Sequence, residues 1–203
     1  MALHHQRTTA LVALLSLPAL SGCAVRTAAD PAQWVTVQSV PGAVLQLPRG
    51  AAVQIEGRLE HGDSLDIAWA SSSRMACWPA ASQPYFDGRH VLLTAQLPRH
   101  STMTIELEPQ DPQLDLSLYA YSVGTPGEPP LPPAVEWAVA CEESHLFGVT
   151  SAAQKSNPGS VERVSLSATS DPYAVVIGVA GAYQASAGPF RVRIETSRDS
   201  VVR

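Results

Sequence analysis

Apolar and polar side chains alternate at every second position along most of the chain, the pattern of strands with one buried face. Residues 51–59 place Val53, Ile55 and Gly57 on one side and Gln54, Glu56 and Arg58 on the other. The cleanest case follows Arg99-His100, where Met103, Ile105 and Leu107 face one way and Thr102, Thr104, Glu106 and Glu108 the other. Residues 114–121 repeat the pattern after a short acidic turn, so the two segments predict a hairpin. Further strands are predicted over 34–40, 43–47, 65–69, 90–97, 164–168, 173–179 and 190–194. The stretch 173–179 is apolar almost throughout, which predicts a strand buried on both faces with alternating neighbours at its sides. Breakers punctuate the series at Pro41-Gly42, Pro48-Arg49-Gly50, His61-Gly62-Asp63, Pro98 and Asn157-Pro158-Gly159. Helical periodicity does not appear beyond the N-terminal segment. About ten strands separated by turns predict an all-β domain, an antiparallel β-sandwich over residues 34–197, with 198–203 as a short tail.

The N-terminal segment has a different organisation. Residues 1–7 are polar with Arg7 as the one positive side chain, and 8–20 are apolar. That run falls short of the ~20 residues a spanning helix needs, and Pro18 interrupts it near its end. Leu20-Ser21-Gly22-Cys23 then resembles a bacterial lipobox, with small residues before a thiol that would carry diacylglycerol. The expectation is a cleaved lipoprotein signal peptide over 1–22, with Cys23 the lipidation site and 23–33 a lipidated tether without periodicity. An ordinary secretory signal is the alternative. Ala24 after the cysteine, by resemblance to Gram-negative lipoproteins, points to the outer membrane, where two or three acyl chains would hold the protein firmly.

Charge and cysteine content narrow the class. The full chain carries 13 basic and 18 acidic side chains, and Lys155 is the only lysine. A mildly acidic surface without a basic run argues against nucleic acid as a partner. With Cys23 assigned to lipid, Cys77 and Cys141 remain as an expected disulfide in an oxidising compartment. Two reduced, buried thiols are the alternative.

Candidate chemistry is sparse. The irregular stretch 70–89 holds Trp78, Tyr85, Phe86 and Asp87, and Glu142-Glu143 follow the second paired cysteine; these six are the candidate binding-loop residues. Aromatic residues in such a loop either form a platform or cover the end of a sheet, and packing is the more common use. The proline-rich segment 124–133 reads as a surface loop with polyproline character. His61, His90, His100 and His145 are scattered, without the spacing of a zincin helix, and no Gly-x-Ser-x-Gly elbow is present. Asp63, Asp66, Asp87, Asp111 and Asp115 lie near turns but lack the dense spacing of a calcium loop. No catalytic residue, metal or cofactor is expected.

The second half carries a family resemblance. Residues 114–121, an acidic cysteine loop, Val161-Glu162-Arg163-Val164-Ser165-Leu166, the tyrosine-initiated 173–179 and the glycine-aromatic strand 188–194 are similar to the blocks of the bacterial pre-peptidase C-terminal domain. The resemblance covers about residues 51–196. It implies a jelly-roll-like β-sandwich that is not itself catalytic and occurs beside secreted enzymes or on cell surfaces. Gln113 stands where that family commonly has an aspartate, and Ser117 interrupts its Asp-Leu-Tyr spacing, so no calcium site is carried over.

The expected function is that of a non-catalytic outer-membrane lipoprotein that docks another envelope protein or a surface polymer. The alternative is an envelope hydrolase of glycans or peptides, with its site on the 70–89 or 144–159 loops.

Overall fold

The alternating strands sort into two facing sheets. The computed structural model describes residues 33–34, 44–72, 77–78, 80–127, 129–135, 138–150 and 153–197. In chain order its strands are β1 (Gln33–Trp34), β2 (Val44–Leu45), β3 (Ala52–Arg58), β4 (Asp63–Ser64), β5 (Arg89–Leu97), β6 (Ser101–Pro109), β7 (Leu116–Val123), β8 (Ala138–Ser144), β9 (Gly148–Thr150), β10 (Ala153–Lys155), β11 (Glu162–Ala168), β12 (Tyr173–Gly181) and β13 (Pro189–Thr196). The first sheet has the order β1-β3-β13-β6-β11; the second has β2-β5-β12-β7-β8, with β4 added against β5. β9 and β10 pair with each other. Among the described residues all pairings are antiparallel except the two short ones at the margins, β1 with β3 and β2 with β5. The all-β sandwich is therefore present; the signal segment, Cys23 and the tether as far as residue 32, and the 198–203 tail lie outside the described residues, while Gln33, the last residue of the expected tether, already belongs to β1 and pairs with Val53 of β3.

Between the sheets, Val53, Ile55, Met103, Ile105, Leu107, Val192 and Ile194 from the first meet Val91, Leu116, Leu118, Val175, Ile177 and Val179 from the second. The two sheets differ on their outer faces. The first presents Glu56, Glu106, Glu108, Arg163, Arg191 and Arg193 to solvent, with Arg191 3.2 Å from Glu108 and 3.5 Å from Glu56. Exposed pairs of this kind add little stability each. The second sheet is buried again: Tyr119, Tyr121, Val123, Ala174, Val176 and Ala180 form a separate apolar cluster with Trp78, Phe86 and Val135. This is why β12 reads as a nearly unbroken apolar run.

Two local expectations are corrected. Residues 65–69 do not form a strand; the Asp66 carboxylate accepts the Ala68 amide at 3.0 Å, and α1 (Ala68–Ser72) begins there. That Asx turn satisfies a helix-start donor that a strand would have left for a neighbour. The predicted hairpin of 102–108 with 114–121 is also absent. β6 pairs with β11 and β13, while β7 pairs with β12 and β8, so the connection crosses from one sheet to the other. Alternation fixes which side of each strand is apolar, and that is equally satisfied when two strands face each other across a core. Of the predicted 34–40 strand, all but Trp34 lies outside the described residues.

Candidate functional site

The outer cover of the second sheet is built around aromatic stacking. Trp78 is 1% exposed and stacks on Phe86, ring centroids 4.1 Å apart and 9° from parallel. It also meets Tyr119 at 5.0 Å. The Cys77–Cys141 disulfide, Cα atoms 5.4 Å apart, ties this cover to β8. Beneath it His90 is sealed: Nε2 donates to the Phe86 carbonyl at 2.8 Å, which leaves Nδ1 to accept the Tyr119 hydroxyl at 3.0 Å. Burial pushes the imidazole below its ordinary value, against the opposing pull of the Phe86 carbonyl and Asp87. Burial also pushes the Tyr119 phenol upward and that of Tyr121 up to about 12. Trp78 and Phe86 are thus core residues and present no ring to a partner, which corrects their place among the candidate binding residues. The reason is that the second sheet's outer face is itself apolar and needs cover.

Tyr85 and Asp87, at the rim of this cover, are half-buried. Tyr85 stacks on His145, centroids 4.5 Å apart and 11° from parallel, and Phe147 and Tyr183 stand edge-on against it. The Asp87 carboxylate accepts the Gln184 amide at 2.7 Å, and the Pro84 carbonyl accepts the Tyr183 amide at 2.7 Å. These bonds hold Tyr183 and Gln184 at φ 51° and 64°, in the left-handed region. Tyr183 is 44% exposed and Leu146 50%. The result is a ring cluster at one end of the sandwich with a solvent-facing margin.

Behind the cluster lies a buried polar chain. Ser117 Oγ is 2.5 Å from the Tyr85 carbonyl and 2.8 Å from His145 Nδ1. A carbonyl only accepts, so Ser117 donates to it and His145 Nδ1–H donates to Ser117. Asp115 Oδ2 accepts the Ser156 hydroxyl and the Asn157 amide. His145 Nε2 and Asp115 Oδ1 are buried without a hydrogen-bond partner among the described residues. Burial lowers the His145 pKa, with Asp115 and Glu162 pulling the other way. Serine, histidine and aspartate do come together here, but the serine is buried and its proton is committed to a backbone carbonyl. A nucleophile needs an accessible oxygen whose proton goes to the base.

Glu142 and Glu143 are exposed on β8. Partial burial raises the Glu143 pKa, with Glu162 and then Glu142 adding to it. Glu162 is fully buried and satisfied: it accepts the Ser144 and Ser160 hydroxyls at 2.6 and 2.8 Å and the Leu146 amide at 3.0 Å. Among the described residues no three His, Cys, Asp or Glu side chains are grouped to hold a metal ion. His61 and His100 are exposed, far from one another in the chain, and His100 sits at φ 55° in the β5–β6 turn. The ring cluster and the Ser117–His145 contact escape sequence inspection because Tyr85, Ser117, His145 and Tyr183 come from four separate segments. The one local cue is a tyrosine in the turn between two well-marked strands.

No family model matches the chain, so the likeness to the pre-peptidase C-terminal domain rests on the strand blocks alone. No curated protein matches it either. Among solved structures, similarity is found to a periplasmic inhibitor of g-type lysozyme from Aeromonas hydrophila, at 10% identity and a TM-score of 0.34, covering 79% of this chain and 100% of that one. A surface-associated copper-binding protein from Methylomicrobium album BG8 is similar at 11% identity and a TM-score of 0.36, over 79% and 99% of the two chains. At these scores neither neighbour informs the site, which is read from its own geometry.

Proposed function

We propose that the chain is a non-catalytic binding module of the bacterial cell envelope, held in the outer membrane by lipid on Cys23, that docks another envelope protein or a surface polymer. Residues 1–22 are then the cleaved signal, 23–33 the tether, 34–197 the binding domain and 198–203 a tail. The observation that carries docking is Tyr183: a bulky side chain held at positive φ and left 44% exposed at the margin of a ring cluster. Such a backbone conformation costs on the order of 1–3 kcal/mol, and residues kept in one concentrate at binding and catalytic sites. Tyrosines with one face packed and one face free are also favoured contact residues. The hydrolase alternative would rest on Ser117 and His145, and it is disfavoured by the buried, already donating serine hydroxyl.

A photo-crosslinking side chain substituted at Tyr183 in cells is expected to give one dominant adduct with an envelope protein or polymer. Turnover of a glycan or peptide that Ser117→Ala abolishes would overturn the docking reading. Cys23→Ala is expected to move the protein from the membrane to the soluble fraction, and unchanged fractionation would refute the anchor.

A further inference from the structure

We infer that the free edge of β11, beside β8, receives an extended basic peptide segment of a partner protein as an additional strand of the first sheet. This surface is separate from the ring cluster, and the inference stands whether or not that cluster binds anything.

The direction of the backbone groups follows from β6. The Ser197 amide donates to the Thr102 carbonyl at 2.8 Å, and the Thr102 amide reaches Ser197 Oγ at 2.8 Å. Even-numbered residues of β6 therefore turn their backbone groups toward β13, and odd-numbered ones toward β11, because the two sides alternate along an antiparallel strand. The partners of Met103 and Ile105 on β11 are Leu166 and Val164. By the same alternation, Arg163, Ser165 and Ser167 turn their N–H and C=O groups out of the sheet. The Arg163 amide confirms this, since it meets Ser144 Oγ of β8 at 3.4 Å. Among the described residues, the amides of Ser165 and Ser167 meet nothing.

Edges of this kind are ordinarily guarded by proline, bulges or inward charges. The open half of β11 has none of these: its register against β6 is regular over seven pairs. Its outer side chains tie it to β6 instead, with Ser167 Oγ 3.0 Å from Thr102 Oγ1 and Ser165 Oγ 3.3 Å from Thr104 Oγ1.

Beside this edge lies an uncovered shelf. Glu142 pairs with Ala120, a core residue, so both lie on the side of the second sheet that faces the first. Glu142 is nevertheless exposed, and Ala140, two residues earlier on the same side, is only partly buried. The second sheet thus extends past β11. A strand added there would hydrogen-bond to Ser165 and Ser167 at the usual spacing of about 4.8 Å and lie over Ala140 and Glu142. Ser165 and Ser167 present their outward N–H and C=O groups about 6.8 Å apart along the strand, the repeat that an extended polypeptide backbone matches. Its shelf-facing side chains alternate, so a small apolar residue over Ala140 is followed two positions on by lysine or arginine at Glu142. No ion pair engages Glu142 or Glu143 among the described residues. A second copy of this chain is a poor occupant, because it would bring its own acids to the same shelf.

The test is a selection of displayed ten-residue peptides, with threonine at alternate positions and the others varied, on full-length protein in detergent micelles. Binders are expected to carry lysine or arginine two positions from a small apolar residue, and to slow amide exchange of Ser165 and Ser167 at least about tenfold. On Glu142→Lys, whose thermal melt should match the parent, the selection is expected to turn to acidic peptides. Selection of no peptide, unchanged exchange at Ser165 and Ser167, an unaltered preference on Glu142→Lys, or protection of the same amides by self-association without peptide would each overturn the inference.

Discussion

The ring of Tyr119 on β7 lies across Gly178, its direct partner on β12, in the space a side chain would fill. A Cβ at Gly178 would fall inside the van der Waals envelope of the ring carbons. The same relationship recurs in the first sheet, where Phe190 covers its partner Gly57. Each glycine allows an aromatic ring to pack flat against a strand.

Gly178→Ala is accordingly expected to destabilise the fold by about 1–3 kcal/mol, the usual cost of overpacking. Displacing the ring also breaks the Tyr119–His90 hydrogen bond, which places the change toward the upper end. Urea denaturation measures it, and a double-mutant cycle isolates the cause. In a Tyr119→Ala background the Gly178→Ala change should cost little, whereas full additivity would show that the ring is not what the methyl meets.

Stability is expected to fall below about pH 6.5. His90 has a folded pKa below its ordinary value of 6.5, so above that pH both folded and unfolded chains hold it neutral and its contribution is complete. As pH falls through 6.5 the unfolded chain takes up a proton that the folded chain refuses, and stability is lost until the folded pKa is reached. His145 has the same sign. Glu143, whose folded pKa is raised, acts in the opposite direction at more acid pH. Urea midpoints between about pH 8 and pH 5 should decline with acid, and His90→Gln should flatten part of that slope. A midpoint constant across the range would contradict the sealed, neutral histidine.

Reducing the Cys77–Cys141 bridge should loosen the aromatic cover before the sandwich. The bridge closes a sequence separation of 64 residues, which in the chain-entropy picture is worth about 4 kcal/mol. Trp78, now buried against Phe86 and Tyr119, should gain solvent, so its fluorescence is expected to shift to longer wavelength in a Cys77→Ala, Cys141→Ala double variant. An unchanged spectrum together with an unchanged melting temperature would show that stacking alone holds the cover.

Much of the sandwich is legible from local pattern. Met103, Ile105 and Leu107 alternate because β6 has water on one side and the core on the other, and every residue carries that information itself. The apolar run of β12 likewise announces two buried faces, and the paired cysteines announce their bridge. What the residues do not announce is the identity of their neighbours. Strands β6 and β7 read as a hairpin, yet their apolar sides meet across the core from opposite sheets.

The chemistry divides in the same way. The exposed acids of β8 and the aromatic residues of the cover are plain in the amino-acid order, but only packing separates Trp78 and Phe86, sealed under the disulfide, from Tyr85 at the rim. The Ser117–His145 contact, the Tyr183 margin and the open edge of β11 each depend on segments 28 or more positions apart, or on which sheet ends first. Periodicity is a property of one segment and its solvent, so the chain specifies it residue by residue. Adjacency is a property of how two sheets cover each other, and it exists only once the core has closed.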